Sequence, residues 1–187
     1  MDGTDILVRK KYILNKQLIS TTNQKISGAK QHLKCLERLG DNTSKPLITA
    51  YHDSIVFQLY LASQSFVQEI AADYQVSVPK GAGFNELAAL LDRNEIPCAQ
   101  CTQLAELQEN SESEDSWLSW LYSRYAKCWE MSDYSSSRSE LGKDLLATST
   151  LISISDISEL SDQQRLKQCI DSLSVIIAEY RELMQQW

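Results

Sequence analysis

Apolar residues recur at helical spacing along most of this chain. Ile26, Ala29, Leu33, Leu36 and Leu39 stand three or four positions apart, which puts them on one helix face. Thr21-Thr22-Asn23-Gln24 reads as a capping box with Thr21 as N-cap, and Gly40 supplies a stop. The pattern predicts a first helix over about 21–39. A second is predicted over about 46–75, opened by Pro46 after Ser44. Its stripe is Ile48, His52, Ile55, Leu59, Ala62, Phe66 and Ile70, widened by Tyr51, Val56 and Val67.

A third helix, over about 114–131, carries Trp117, Leu118, Leu121, Tyr125, Cys128 and Trp129, with Ser113 or Ser116 as its cap. The fourth, over 162–187, is the most regular. Ser161-Asp162-Gln163-Gln164 fits a capping box, and Leu166, Ile170, Leu173, Ile177, Tyr180, Met184 and Trp187 follow at alternating spacings of four and three. Between the second and third long helices, Asn85 can cap a short helix from Glu86 to Leu91. Pro97 opens another that carries Leu104 and Leu107. A further short helix is expected around Leu141 to Ala147, after a loop at 132–139, with 150–157 as a linker packed on the bundle. Four amphipathic stripes are buried most simply against one another. The expected fold is all-α, a four-helix up-and-down bundle with short additional helices.

Residues 1–20 fit this frame less well. Ile6, Val8, Tyr12 and Leu14 share the parity of a strand, but Arg9, Lys10 and Lys11 interrupt it. They read as an N-terminal arm or helical extension, and 21–187 as the bundle domain.

Composition sharpens the picture at a few points. A chain of 187 residues fits one domain that needs no disulfide or metal staple. Six Gly and three Pro are too few for long β-meanders. The net charge of −7 argues against a general nucleic-acid binder. Residues 1–40 hold eight Lys/Arg against three Asp/Glu, while 86–115 hold one Arg against eight Asp/Glu. Pairing between these segments is the simplest use of that asymmetry. The acidic N-terminus is no secretory signal, and no apolar stretch approaches the ~20 residues of a membrane span. Five cysteines, at 35, 98, 101, 128 and 169, make no secreted disulfide framework and suit reduced thiols in the cytoplasm.

The sharpest local motif is Cys98-Ala99-Gln100-Cys101, just after Pro97. A helix N-terminus lowers a thiol pKa, as redox chemistry requires. The same pair could supply half of a zinc site, with His32 and Cys35, at i and i+3 on the first helix, as the other half. Packed thiols are the plain alternative. His52 lies on an apolar stripe, where a core-edge histidine is the simpler reading than acid–base chemistry. Trp117, Trp120, Tyr122, Tyr125 and Trp129 crowd one helix beside an acidic stretch that would repel phosphates. Core packing accounts for most of them, and any left outside is a candidate anchor for a protein partner. Glu69 and Asp73 form an i,i+4 acidic pair, but the chain has no Glu-x-x-His of the di-metal carboxylate bundles.

Several stretches carry a resemblance. Thr22-Asn23-Gln24-Lys25-Ile26 with Ala29 and Leu33, Ile55 to Tyr60 with Glu69-Ile70-Ala71, Ser116-Trp117-Leu118, and Ile176 to Glu182 with Trp187 resemble an uncharacterised gammaproteobacterial family of helical proteins, a domain of unknown function. These are helix-face patterns, so the resemblance implies a helical fold and no activity. A weaker similarity is to HEPN helical domains. Their ribonuclease members place a His four to six residues after an Arg, and neither His32 nor His52 has an Arg at that distance.

The expected function is a non-enzymatic helical protein-interaction module, with a protein partner or a second copy of the chain, and no cofactor. The alternatives are a metal- or thiol-dependent protein using Cys98 and Cys101, and a HEPN-like nucleic-acid-associated domain lacking the nuclease motif.

Overall fold

A computed structural model describes residues 3–40, 43–110, 116–129 and 161–185, with side chains from residue 15 onward. Among them every regular element is an α-helix: α1 (Gly3–Glu37), α2 (Lys45–Asp73), α3 (Phe84–Arg93), α4 (Ala99–Glu109), α5 (Trp117–Lys127) and α6 (Asp162–Gln185). The expected helix at 141–147, the linker at 150–157 and Trp187 lie outside the described residues.

The first helix begins far earlier than the capping box suggests. α1 runs unbroken through Thr21 and Thr22. Instead of capping, the Thr21 hydroxyl donates to the Gln17 carbonyl at 2.9 Å and Thr22 to Leu18 at 3.0 Å. This back-bonding is what threonine does inside a helix. With the preceding backbone helical, the Gln24 N–H already has a carbonyl four residues back, so the cap has nothing left to satisfy. Residues 3–20 are helical and continuous with the rest of α1.

The second stripe is realised from its middle onward. Ile55, Leu59, Ala62, Phe66 and Ile70 are fully buried, with Val56 and Val67 beside them, while Ile48 and His52 are half-buried. α2 ends in a 6→1 and 5→2 pair of hydrogen bonds, Val76 N–H to the Ala71 carbonyl and Gln75 N–H to Ala72. Gln75 sits at φ 59°, a left-handed position that glycine usually fills.

α3 is capped differently from expectation. Asn85 was the expected cap; the N-cap is Gly83, two residues earlier. The Glu86 carboxylate accepts the Gly83 N–H at 2.8 Å, and the Gln108 amide oxygen accepts the Phe84 N–H at 2.9 Å. Two orphan donors are thereby satisfied without Asn85, whose amide oxygen is buried with no hydrogen-bond partner among the described residues. α5 is shorter than the predicted third helix and ends at Lys127. Ser116 is its cap: the hydroxyl oxygen accepts the Ser119 N–H and donates to the Leu107 carbonyl, tying α5 to the end of α4. At α6 the predicted box forms in both directions, Ser161 N–H to Gln164 and Gln164 N–H to Ser161.

α2 is the central element. It lies along α1 and meets α5 and α6, while α3 and α4 pair with each other and reach the core through α2 and α5. The core joins these stripes through Leu33, Leu36, Phe66, Phe84, Leu118 and Leu173, among others. Burying such a side chain is worth about 1.5–3 kcal/mol.

Candidate functional site

Two places in this frame gather reactive or exposed side chains, and a polar seam lies between α1, α2 and α6. The first is the start of α4. α3 closes on Glu95 in the left-handed conformation, with the Ile96 N–H bonded back to the Leu91 carbonyl. Pro97 follows, and Cys98 becomes the N-cap of α4 with Cys101 in its first turn. Both thiols are buried. The Cys98 pKa is lowered to about 6. The Cys101 thiol is the main cause, with lesser help from the Tyr74 hydroxyl and the backbone N–H groups of Cys101 and Gln100, against the opposing effect of burial. Cys101 is pushed far up by the Cys98 sulfur and by burial. Tyr74, the C-cap of α2, is raised to about 12 by burial and by Cys98. A cavity of about 460 Å³ opens beside Pro97 and Gln100, with Asp73, Tyr74 and Tyr180 in its wall and neither thiol lining it.

The polar seam joins α1, α2 and α6. Glu69 is 1% exposed in the core face of α2. Arg181 of α6 holds it in a two-point fork, Nε to Oε1 at 2.6 Å and Nη2 to Oε2 at 2.8 Å, and its Nη1 donates to Asn23 of α1 at 2.8 Å. Thr22 adds a bond to Glu69 at 3.3 Å. One turn along, Asp73 accepts from Asn15 at 2.7 Å and from the Tyr180 hydroxyl at 3.2 Å. The two carboxylates of the i,i+4 pair are therefore each partnered from two other helices. An open groove of about 430 Å³ between α1 and α6 runs past Asn23, Lys30, Ser174 and Arg181.

The aromatic face lies where α5 crosses α2. Tyr60 stacks on Tyr125 with centroids 3.6 Å apart and planes 6° off parallel. Tyr122 meets Tyr60 edge-on at 5.3 Å, and its hydroxyl lies 3.3 Å from that of Ser63. Burial raises the Tyr122 pKa to about 12. Phe57 and Trp129 continue the cluster from Tyr125 outward, at 6.2 and 6.0 Å. Trp129 is 66% exposed and Phe57 42%. They line a groove of about 300 Å³ with Asp53, Ser54 and Cys128. Arg124 pairs with Asp53 at 3.7 Å on its rim.

Of the four candidate metal ligands, the structure brings Cys98 and Cys101 together. His32 is half-buried on α1 with its ring edge-on to Tyr51 at 6.2 Å, and Cys35 is exposed. Among the described residues no three His, Cys, Asp or Glu side chains are grouped to hold a metal ion. Sequence reasoning missed Tyr74 and Arg181. Tyr74 carries no signal beyond following the last turn of α2. Arg181 does carry one, standing four residues after Ile177 at the margin of the α6 stripe.

The model of a family of unknown function, DUF6586, matches residues 17–187. No curated protein and no solved structure matches the chain. No described helix is long and apolar enough to cross a membrane.

Proposed function

The chain belongs to this family of unknown function (DUF6586), and we propose that it works as a non-enzymatic helical interaction module whose partner is a second copy of itself, seated on the aromatic face of α2 and α5. The observation that carries the reading is the ring cluster that starts at half-buried Tyr60 and Tyr122 and ends in solvent at Trp129. Aromatic anchors ringed by polar groups are the composition of interface centres. The rim carries both signs, Asp53 and Arg124, side by side. A two-fold pairing can therefore set Arg124 of one copy against Asp53 of the other, as a self-complementary patch requires. In this reading α1, α2, α5 and α6 are the up-and-down four-helix frame that presents the face, α3 and α4 are short additions, and the setting is the cytoplasm.

Light scattering across a concentration series tests it. The expected result is a dimer that dissociates on dilution, with Trp129→Ala and Phe57→Ala each weakening it by roughly tenfold or more. Asp53→Arg and Arg124→Asp should each weaken it, and together restore it. A monomer at every concentration, or a dimer indifferent to Trp129→Ala, overturns the proposal.

A further inference from the structure

The two carboxylates at the end of α2 stand one turn apart and are met differently. Glu69 has the Arg181 fork. Asp73, the last residue of α2, has neutral donors, Asn15 at 2.7 Å on one oxygen and the Tyr180 hydroxyl at 3.2 Å on the other. No Lys or Arg forms an ion pair with it among the described residues. A carboxylate offers about four acceptor positions, so roughly half of them stay open. Half-buried, Asp73 has lost part of its water, and a hydrogen-bonded cation is the partner that best offsets that loss.

Asp73 lines the cavity of about 460 Å³ beside Pro97 and Gln100. That volume suits a small organic ligand. Among the described residues, Asp73 carries the one formal charge on the cavity wall. The helix ends nearby do not reverse its sign. The last turn of α6, with Leu183 and Met184, brings a negative end, and α4 brings a positive end beside Pro97 and Gln100. These two roughly cancel, while the Ala71 and Ala72 carbonyls that close α2 are taken up by Val76 and Gln75. Around the carboxylate the wall is apolar at Pro97, Leu183 and Met184 and aromatic at Tyr74. Gln100 adds an amide oxygen that can accept a second N–H.

We propose that this cavity binds a small primary amine in its protonated form, with the ammonium on Asp73 and Gln100 and the alkyl chain along Pro97, Leu183 and Met184. A primary ammonium carries three N–H donors on one compact charge. Asp73 takes one in a charge-assisted bond, Gln100 takes a second, and the third stays with water at the mouth. The phenol of Tyr74 favours an alkylammonium over an anion of the same size. The site shares no residue with the groove at Phe57 and Trp129, so it stands or falls apart from the pairing proposed above.

Calorimetric titration of the full chain with n-hexylamine at neutral pH tests this. Saturable binding is expected, with none for hexanol or hexanoate. Shortening the chain toward propylamine should weaken binding by up to about fourfold per methylene. Asp73→Asn should weaken it by about tenfold or more, although the amide oxygen can still accept from Asn15 or Tyr180. Gln100→Lys sets a tethered ammonium in the same cavity and should abolish binding. Gln100 is only half-buried, so this variant keeps the test open if Asp73→Asn fails to fold. Nα-acetyl-lysine methylamide should bind more weakly than n-hexylamine. Tighter binding by the lysine derivative would assign the cavity to a lysine side chain of a protein partner and overturn the proposal. Hexanol binding as well as hexylamine, or hexylamine binding unchanged by Asp73→Asn or by Gln100→Lys, also overturns it.

Discussion

Two sides of α2 solve the same packing problem in opposite ways. Toward α1 and α6 it buries a carboxylate, Glu69, and surrounds it with named partners: the Arg181 fork, Thr22 and, through Arg181, Asn23. Toward α5 it uses rings, and the packing runs outward from Tyr60 to an open edge at Trp129. A buried ion pair adds little net stability, because desolvation offsets the attraction, but it penalises every arrangement that separates the two charges. An aromatic cluster tolerates many partners and gains from any further apolar area covered. The closed side therefore specifies how the helices assemble, and the open side is where the assembly can still gain contact.

The comparison breaks most severely if the closed side loses its core. Leu173→Asp on α6 or Ile55→Asp on α2 places a charge at a fully buried position. Each should cost several kcal/mol and abolish cooperative unfolding by urea or heat. Next comes the fork itself. Arg181→Met leaves Glu69 buried without its counter-ion and should cost about 3–5 kcal/mol in urea unfolding. Combining it with Glu69→Gln should recover much of that loss, and a double variant no better than the single would show that the fork, not the charge, matters.

A smaller effect sharpens the contrast at the thiol pole, through pH. The Cys98 pKa in the folded chain is lowered from 9.0 to about 6. Between these values the unfolded state binds more protons, so stability rises with pH across that window and is lost as pH falls through 6. Above 9.0 the raised values of Cys101 and Tyr74 reverse the slope. Thermal melts of wild type should therefore strengthen from pH 6 toward 9, and Cys98→Ala should flatten that rise. The smallest effect belongs to the open side. Trp129→Ala in dilute monomer should leave stability within about 0.5 kcal/mol, since two-thirds of the side chain is already in water. Loss beyond about 1 kcal/mol would mean that the face is part of the core.

How much of this was legible depends on whether a residue's role is set by its own helix. The stripes of α2 and α6 are periodic, and the positions from Ile55 to Ile70 and from Leu166 to Tyr180 are buried as the spacing predicts. The Ser161 box forms in both directions with Gln164 at the start of α6. The Thr21 box fails because the preceding residues continue the helix, and its four letters are the same either way. Gly83 displaces Asn85 as cap because the needed acceptors come from Glu86 and, across 24 positions, from Gln108. The Cys98–Cys101 pair was visible as a motif, but its relation to Tyr74 arises from tertiary placement that no local pattern encodes. The same holds for the pairing of Glu69 with Arg181.

That pairing has a consequence for inheritance. The two residues lie 112 positions apart and meet at 2.6 Å, with the Glu69 carboxylate buried. A substitution at either position alone strands a charge, so the viable evolutionary routes change both, or pass through a neutral side chain first. Lysine is a poor stopping point, because a single ammonium cannot reproduce the two-point fork. Across the family, positions 69 and 181 should therefore vary as one character, acid with arginine or two uncharged residues together. Asp53 and Arg124, half-buried on the rim and worth little to the monomer, should drift with no such link unless the aromatic face is used.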